Sequence, residues 1–281
     1  MSVFREYIGS LKMAEVEETL DLILYRPVAY LFVKAVHRTR ITPNQVTLLS
    51  LISGWCAGAM YMEGIAASFV WAGLFLALAN TLDCADGQLA RMQKSGTSFG
   101  RLVDGFADYL ISIVIFIGLG IGLSRVSGSS DVWFLVVAAG LSSAAQAITF
   151  DFIQQQYLSA VRGERPALLR ELARVEGELS QPGIGSHAAL RGAGLKLYLK
   201  YLTLQRGTLY KGARTAERTP DEYRRLYRGR MRLWTLLGST TNRSLLILTS
   251  LLQYPLWYCW IVVVAGNLFL IGMLILNRER T

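Results

Sequence analysis

The sequence predicts an all-α integral membrane protein. It would be a bundle of six transmembrane helices, with an N-terminal interfacial amphipathic helix and a helical cytosolic insertion between helices 4 and 5. Three observations predict this fold. First, 52% of the 281 residues are apolar, and they gather into runs of roughly 20, the length that crosses a hydrocarbon core about 30 Å thick. Second, runs such as "YLISIVIFIGLGIGL" and "YCWIVVVAGNLFLIGMLIL" carry no polar face to show water, which argues against a soluble helical protein with a large core. Third, basic residues alternate between successive loops, as membrane orientation requires.

Residues 1–40 form a cytosolic or interfacial segment. "LDLILYRPVAYLFVKAVHRTR" is apolar, but Arg26, Pro27 and Lys34 interrupt it, and the uninterrupted pieces are too short to span. It reads as an amphipathic helix in the cytoplasmic interface, bent at Pro27. A charged region, an apolar region and a cleavage site do not follow in order here, so insertion is expected to rely on the spans themselves.

Residues 41–157 hold the first four spans, Gln45–Gly64, Ser68–Ala90, Gly100–Ser124 and Val132–Tyr157. Thr42 suits an N-cap, with Pro43 at the first helical position. Residues 158–230 are too polar to be embedded. "PALLRELARVEGEL" and "LRGAGLKLYLKYLTLQRGTLYK" look helical, separated by "SQPGIGS". Thr219, Pro220 and Glu222 then give a capping-box signature. The helix that they open is expected to continue straight into the fifth span. Residues 231–281 hold the last two spans, Leu233–Gln253 and Leu256–Asn277. Trp133, Trp234, Trp257 and Trp260 sit near span ends, where interface belts place tryptophan. The chain shows no internal repeat, low-complexity tract or strand pattern.

The formal net charge is +9. Arg38 and Arg40 precede the first span, and "YMEGIAAS" after it has no Lys or Arg. Arg91, Lys94 and Arg101 follow the second span, whereas "SRVSGSSD" has only Arg125. The segment before the fifth span is rich in Arg, and "LLQYPLWYC" after it has none. This pattern puts both termini in the cytoplasm. Orientation explains most of the charge, so no nucleic-acid partner is invoked. Cys56, Cys84 and Cys259 lie in or beside spans, with no disulfide or zinc spacing.

The chemistry concentrates in "LDCADGQLARMQKSGTSFGRLVDGFADYL", residues Leu82–Leu110. A carboxylate deep in a bilayer costs about 2.5–3.5 kcal/mol even on gentle scales, and this stretch holds Asp83, Asp86, Asp104 and Asp108. Asp83 and Asp86 share a helix face, as do Asp104 and Asp108. Gly96 and Gly100 let the chain turn back as a hairpin, which would bring all four together at the cytoplasmic end of the bundle. Carboxylates that close cannot all stay ionised alone. One or two divalent cations would resolve the conflict, and an all-oxygen donor set favours magnesium (Mg2+) or manganese (Mn2+) over zinc. Gly87 and Ala90 leave a helix face clear for a phosphate-bearing ligand. Arg91 offers a fork of donors to phosphate or carboxylate. Together these describe a site for a pyrophosphate-containing substrate.

Asp83-x-x-Asp86-Gly87-x-x-Ala90-Arg91, eight residues, then Gly100-x-x-x-Asp104-x-x-x-Asp108 resembles the signature of the CDP-alcohol phosphotransferase family position for position. The likeness in topology covers about residues 40–280, and no family role carries over to 158–230. The resemblance implies transfer of a phospho-alcohol group from a CDP-alcohol donor to a hydroxyl acceptor, with release of CMP and with two Mg2+ or Mn2+ ions. It implies that Asp83 and Asp104 bridge both ions, that Asp86 holds the first and that Asp108 holds the second. Asp108 would also be the general base. Gly87, Arg91 and Thr97 match donor-binding positions, together with Ala90 and Gly100 of the same motif. Asn44 and Thr47 fall where members bind the same group, in a looser motif that helix-start chemistry explains equally well. The family also implies phospholipid synthesis from a donor such as CDP-diacylglycerol, and a homodimer. A CDP-choline or CDP-ethanolamine aminoalcohol transferase and a CDP-inositol-using synthase stay open.

A second polar cluster, "STTNRS" (Ser239–Ser244), lies inside the fifth span, where Arg243 needs a partner. Arg243, with Arg230 or Arg232, would face the cavity and meet an anionic acceptor or the donor phosphates. A packed arginine paired to a structural carboxylate accounts for it equally well. His37 and His187 have no partner spacing and no assigned role. The rival function is cation or proton transport, but transport sites lie near mid-bilayer on broken helices, whereas these aspartates lie at cytoplasmic span ends. Prenyl transfer would need two similar aspartate-rich motifs far apart, and the chain has one compound motif.

Overall fold

The structure, a computed structural model, describes residues 13, 15–93, 95, 98–163, 167–180, 192, 194–200, 202–203 and 219–278. Among the described residues there are helices and no strands. Among the described residues, four helical stretches are long and apolar enough to cross a membrane: Ala66–Met92, Leu102–Ser127, Val132–Val161 and Pro255–Asn277. The protein is therefore an integral membrane protein.

A π-helical turn at Asp21–Tyr25 leads into α1 (Arg26–Val36). Pro27 has no N–H to give the carbonyl one turn back, and a widened turn next to it accommodates the ring. Ala29, Tyr30 and Val33 are buried, while Val28 and Leu31 are exposed, so α1 has one apolar face on the bundle and another outside it.

Helix α2 (Pro43–Glu63) starts at Thr42, whose side chain accepts from the Gln45 N–H while Gln45 caps back, and it stops at Gly64, with φ 70°. At about 1.5 Å per residue its 21 residues reach about 31 Å. Helices α3 (Ala66–Met92) and α4 (Ser98–Ser127) pack against it. Two hydroxyls tie α2 to α3: Ser50 Oγ donates to the Ala79 carbonyl and Ser53 Oγ to that of Phe75, both at 2.8 Å. The α2–α4 contact is backbone on backbone. A Cβ at Gly118 would overlap the Gly58 carbonyl oxygen, and one at Gly122 would overlap that of Tyr61. Small residues four apart let membrane helices approach this closely.

Helix α5 (Val132–Arg162) follows, then the amphipathic α6 (Ala167–Ser180). In α6, Leu168, Leu172 and Val175 are buried with Leu195 and Leu202 in a small apolar cluster. Helix α7 (Pro220–Trp234) begins with the Thr219–Glu222 capping box. It does not run straight into the next helix, contrary to the expectation for the fifth span. A 3-10 turn, Thr235–Leu237, and an extended Gly238 (ψ 164°) separate it from α8 (Ser239–Leu251). The cause is Glu18, whose carboxylate occupies the space where a Gly238 side chain would stand. Helix α8 has 13 residues, about 20 Å. Trp234 is not an interface tryptophan either. It is 2% exposed and packs with Phe150, Tyr157 and Met231, because α7 lies on α5. Trp257 and Trp260 are exposed, as an interface belt requires.

The last span is α9 (Pro255–Trp260), a π-helical stretch Ile261–Gly266, and α10 (Asn267–Arg278). Gln146 of α5 causes the irregularity to be tolerated. Its Nε2 donates to the Val262 carbonyl and to Asn267 Oδ1, both at 3.1 Å.

Candidate active site

The C-terminal end of α3 and the N-terminal end of α4 meet over the start of α2. Asp83, Asp86 and Asp104 each turn a carboxylate oxygen into one cluster, with those atoms within 4.8 Å of one another. Asp86 is buried, and its Oδ2 accepts from Thr47 Oγ1 at 2.6 Å. Thr47 stands one turn into α2, and its Oγ1 also lies 3.1 Å from the Pro43 carbonyl at the capped start of that helix.

Asp108 stands one turn beyond Asp104 on α4. Its Oδ1 accepts from Arg243 Nη2 of α8 at 2.7 Å. Arg243 Nη1 lies 3.5 Å from Asn80 Oδ1 on α3. The arginine thus links α8 to both helices of the aspartate motif. Asp108 and Arg243 also lie at the polar end of a cavity of about 540 Å³ between α4, α5 and α8, with Ser112, Asp151 and Asn242. Its remaining walls are mostly apolar, with Ile113, Phe116 and Val137 among them.

The other expected site residues divide. A side chain at Gly87 would stand 3.5 Å from Arg91 Nη1, so the Arg91 guanidinium lies beside the cleared helix face. Ala90 is half-buried on the next turn, and Gly100 lies in the first turn of α4. Asn44 is exposed in the first turn of α2. Thr97 lies outside the described residues. Arg230 sits 5.8 Å over the Tyr227 ring on α7, and Arg232 is exposed on the same helix. Neither lines the cavity that Arg243 lines.

Three contributors escaped sequence reasoning. Asn80 is 1% exposed and precedes Asp83 by three positions, which puts it on the same helix face. That spacing, in an apolar run, is a signal that could have found it. The others are Glu18 and Asp21 in the segment before α1. Glu18 accepts from the Thr240 N–H at 3.1 Å and from the Thr241 N–H at 2.7 Å. Asp21 Oδ1 lies 3.5 Å from Cys84 Sγ, next to Asp83. Burial, together with the charge of Asp21, pushes the Glu18 carboxyl up to about 7, against the pull of its Thr240 and Thr241 donors. Burial likewise raises Asp21, with Arg26 opposing. Glu15 moves the other way, held below the usual carboxylate range by the Arg224 guanidinium at 2.7 Å.

Residues 40–169 match the family model described as CDP-alcohol phosphatidyltransferase. A phosphatidylinositol phosphate synthase of Corynebacterium glutamicum is 33% identical over 94 residues, covering 34% of this chain and 40% of that protein. An archaetidylinositol phosphate synthase of Pyrococcus horikoshii is 34% identical over 83 residues, covering 29% of this chain and 42% of that one. The chain thus spans about two-fifths of the length of these curated relatives. All four aspartates fall inside the matched region, so the part of the chain that carries them is similar to the CDP-alcohol phosphatidyltransferase family.

Proposed function

We propose that the protein transfers a phosphatidyl group from CDP-diacylglycerol to a hydroxyl of an inositol phosphate and releases CMP. The observation that carries this is the cluster of Asp83, Asp86 and Asp104 carboxylates within 4.8 Å, with Asp108 one turn away. The inositol phosphate acceptor is favoured by the likeness to two synthases named for inositol phosphate lipids. Arg243 at the polar end of the cavity supplies a cation for an anionic substrate.

The three clustered carboxylates form an all-oxygen donor set, which suits Mg2+ or Mn2+. Asp83, Asp86 and Asp104, with Asp108, would hold two such ions. When bound there, the ions supply neutralisation of the pyrophosphate and of the departing CMP. Thr47 fixes the rotamer of Asp86 through its 2.6 Å hydrogen bond. Gly87 gives the donor a close approach to α3, and Arg91 beside it offers guanidinium N–H groups to the diphosphate. Asp108 takes the proton from the acceptor hydroxyl as that oxygen attacks phosphorus. Arg243 holds the Asp108 carboxylate in place through its 2.7 Å bond. The lipid tails of the donor would enter sideways between helices.

In this reading α2 and α8 also belong to the membrane bundle, giving six spans with both termini and the site on the cytoplasmic side, and the protein forms a homodimer. The test is CMP release by the purified protein with Mg2+, across paired donors and acceptors. CDP-diacylglycerol with inositol phosphate should give CMP. Turnover only with CDP-choline and diglyceride, or only with CDP-inositol, would replace this assignment with another member of the same chemistry. No CMP from any pair would end it.

A further inference from the structure

The start of α8 is held by a residue 222 positions away in the chain. Gly238, the N-cap of α8, has no side chain to offer, and no side-chain cap bond is made there. The first N–H groups of a helix have no partner inside it. Here the N–H groups of Thr240 and Thr241, the second and third helical residues, donate to the two oxygens of Glu18 at 3.1 and 2.7 Å. Thr241 Oγ1 adds a third bond to Glu18 at 2.8 Å. Glu18 is 5% exposed, so water does not substitute readily for it. A carboxylate at this end also opposes the positive end of the helix dipole.

The same segment touches the site at two more points. Tyr25 OH lies 3.0 Å from Ser244 Oγ, and Ser244 follows Arg243. Asp21 meets Cys84, and Cys84 follows Asp83. Arg243, two residues after the capped Thr241, bonds Asp108 at 2.7 Å. Because the chain turns through the extended Gly238, α7 does not fix the direction in which α8 sets out. The segment before α1 does.

We infer that Glu18 is a positioning residue: by capping α8 it sets the place of Arg243, and through Arg243 that of Asp108. The inference rests on the function proposed above. It goes beyond that function in assigning the segment before α1, which lies outside the matched region, a part in turnover.

The test uses the full chain with E18Q, E18A, R243A and the E18A/R243A double variant. E18Q keeps the volume of the side chain but turns an NH2 group toward a backbone N–H, so it guards against a loss that is only misfolding. We expect E18Q and E18A to lower kcat by about tenfold or more, since a misplacement of about 1 Å distant from the chemistry can reduce rate up to about 10²-fold. The double variant should be no slower than R243A alone, because the two residues act in series. Hydrogen exchange should show faster exchange of the amides of residues 240–243 in E18Q. Wild-type kcat in E18Q overturns the inference, and so do multiplying effects in the double variant. If the wild-type protein releases no CMP from any substrate pair, the proposed function fails by itself. Exchange then decides the inference alone, and unchanged protection of 240–243 in E18Q overturns it.

Discussion

Gly118→Ala should damage the protein although it adds one methyl group and replaces a poor helix former with the best. The new Cβ would overlap the Gly58 carbonyl oxygen and stand 3.2 Å from Tyr61 Cβ. The first of these is backbone, so no rotamer change relieves it; α2 and α4 must move apart. Overpacking of this kind typically costs about 1–3 kcal/mol. The Ala-for-Gly gain in helix propensity, about 1 kcal/mol, offsets only part of that. The displacement has a functional edge, because α2 carries Thr47 and α4 carries Asp104 and Asp108. Gly272→Ala on α10 is the matched control, since nothing lies within 4 Å of its added Cβ. It should be neutral or stabilising by up to about 1 kcal/mol. Thermal unfolding in detergent, followed by tryptophan fluorescence, reads the difference, and CMP release reads the consequence. A Gly118→Ala protein with wild-type melting and turnover would refute the backbone contact between α2 and α4.

Asp108→Asn should lower kcat by about 10²–10⁴-fold, the range for general-base loss, with the protein folded and monodisperse; near-wild-type kcat would remove Asp108 from the chemistry. Chelation by EDTA should abolish CMP release, and Mg2+ or Mn2+ should restore it, whereas turnover that persists in EDTA contradicts the aspartate cluster as a cation site. Arg243→Ala should raise the KM for the phosphorylated acceptor as well as lower kcat, and an unchanged acceptor KM would confine Arg243 to its bond with Asp108. The Glu18 carboxyl sits at about 7 in the fold against an ordinary 4.5. The folded state therefore binds the proton more tightly than the unfolded chain, and stability falls as pH rises from about 4.5 to about 7, by about 3 kcal/mol, then levels off. E18Q should flatten that slope in a melting series; an equal slope in both proteins would show that another group sets it.

The aspartate motif was legible because its logic is local. Residues three and four apart share a helix face, and the two pairs lie close enough in the sequence for consecutive helices to bring them together. The bond between Thr47 and Asp86 joins the looser motif at the start of α2 to the aspartate motif. What could not be read is how α8 begins. "RMRLWTLLGSTTNRS" contains one weak stop, Gly238, and helical periodicity runs through it. The break exists because a carboxylate from residue 18 needs the space, and no local pattern encodes a contact across 222 positions. Trp234 was misplaced for a related reason. A tryptophan near a span end looks alike whether lipid or another helix covers it, and here α5 covers it. Arg243 required a partner by charge alone, but only the packing of α4 against α8 identifies that partner as Asp108.

The bond from Gln146 to the Val262 carbonyl bears on how the final span can move. In a lipid-facing helix a carbonyl released from its own ladder has no solvent to turn to. The irregular turn at Ile261–Gly266 therefore gains a side-chain donor for one of its carbonyls from α5. Sliding the last span by a single residue would strand that carbonyl and press Gly266 against a side chain that already nearly touches it. Gln146 and Ser142 of α5 thus hold the last span at two points, the Val262 carbonyl and the Asn267 side chain.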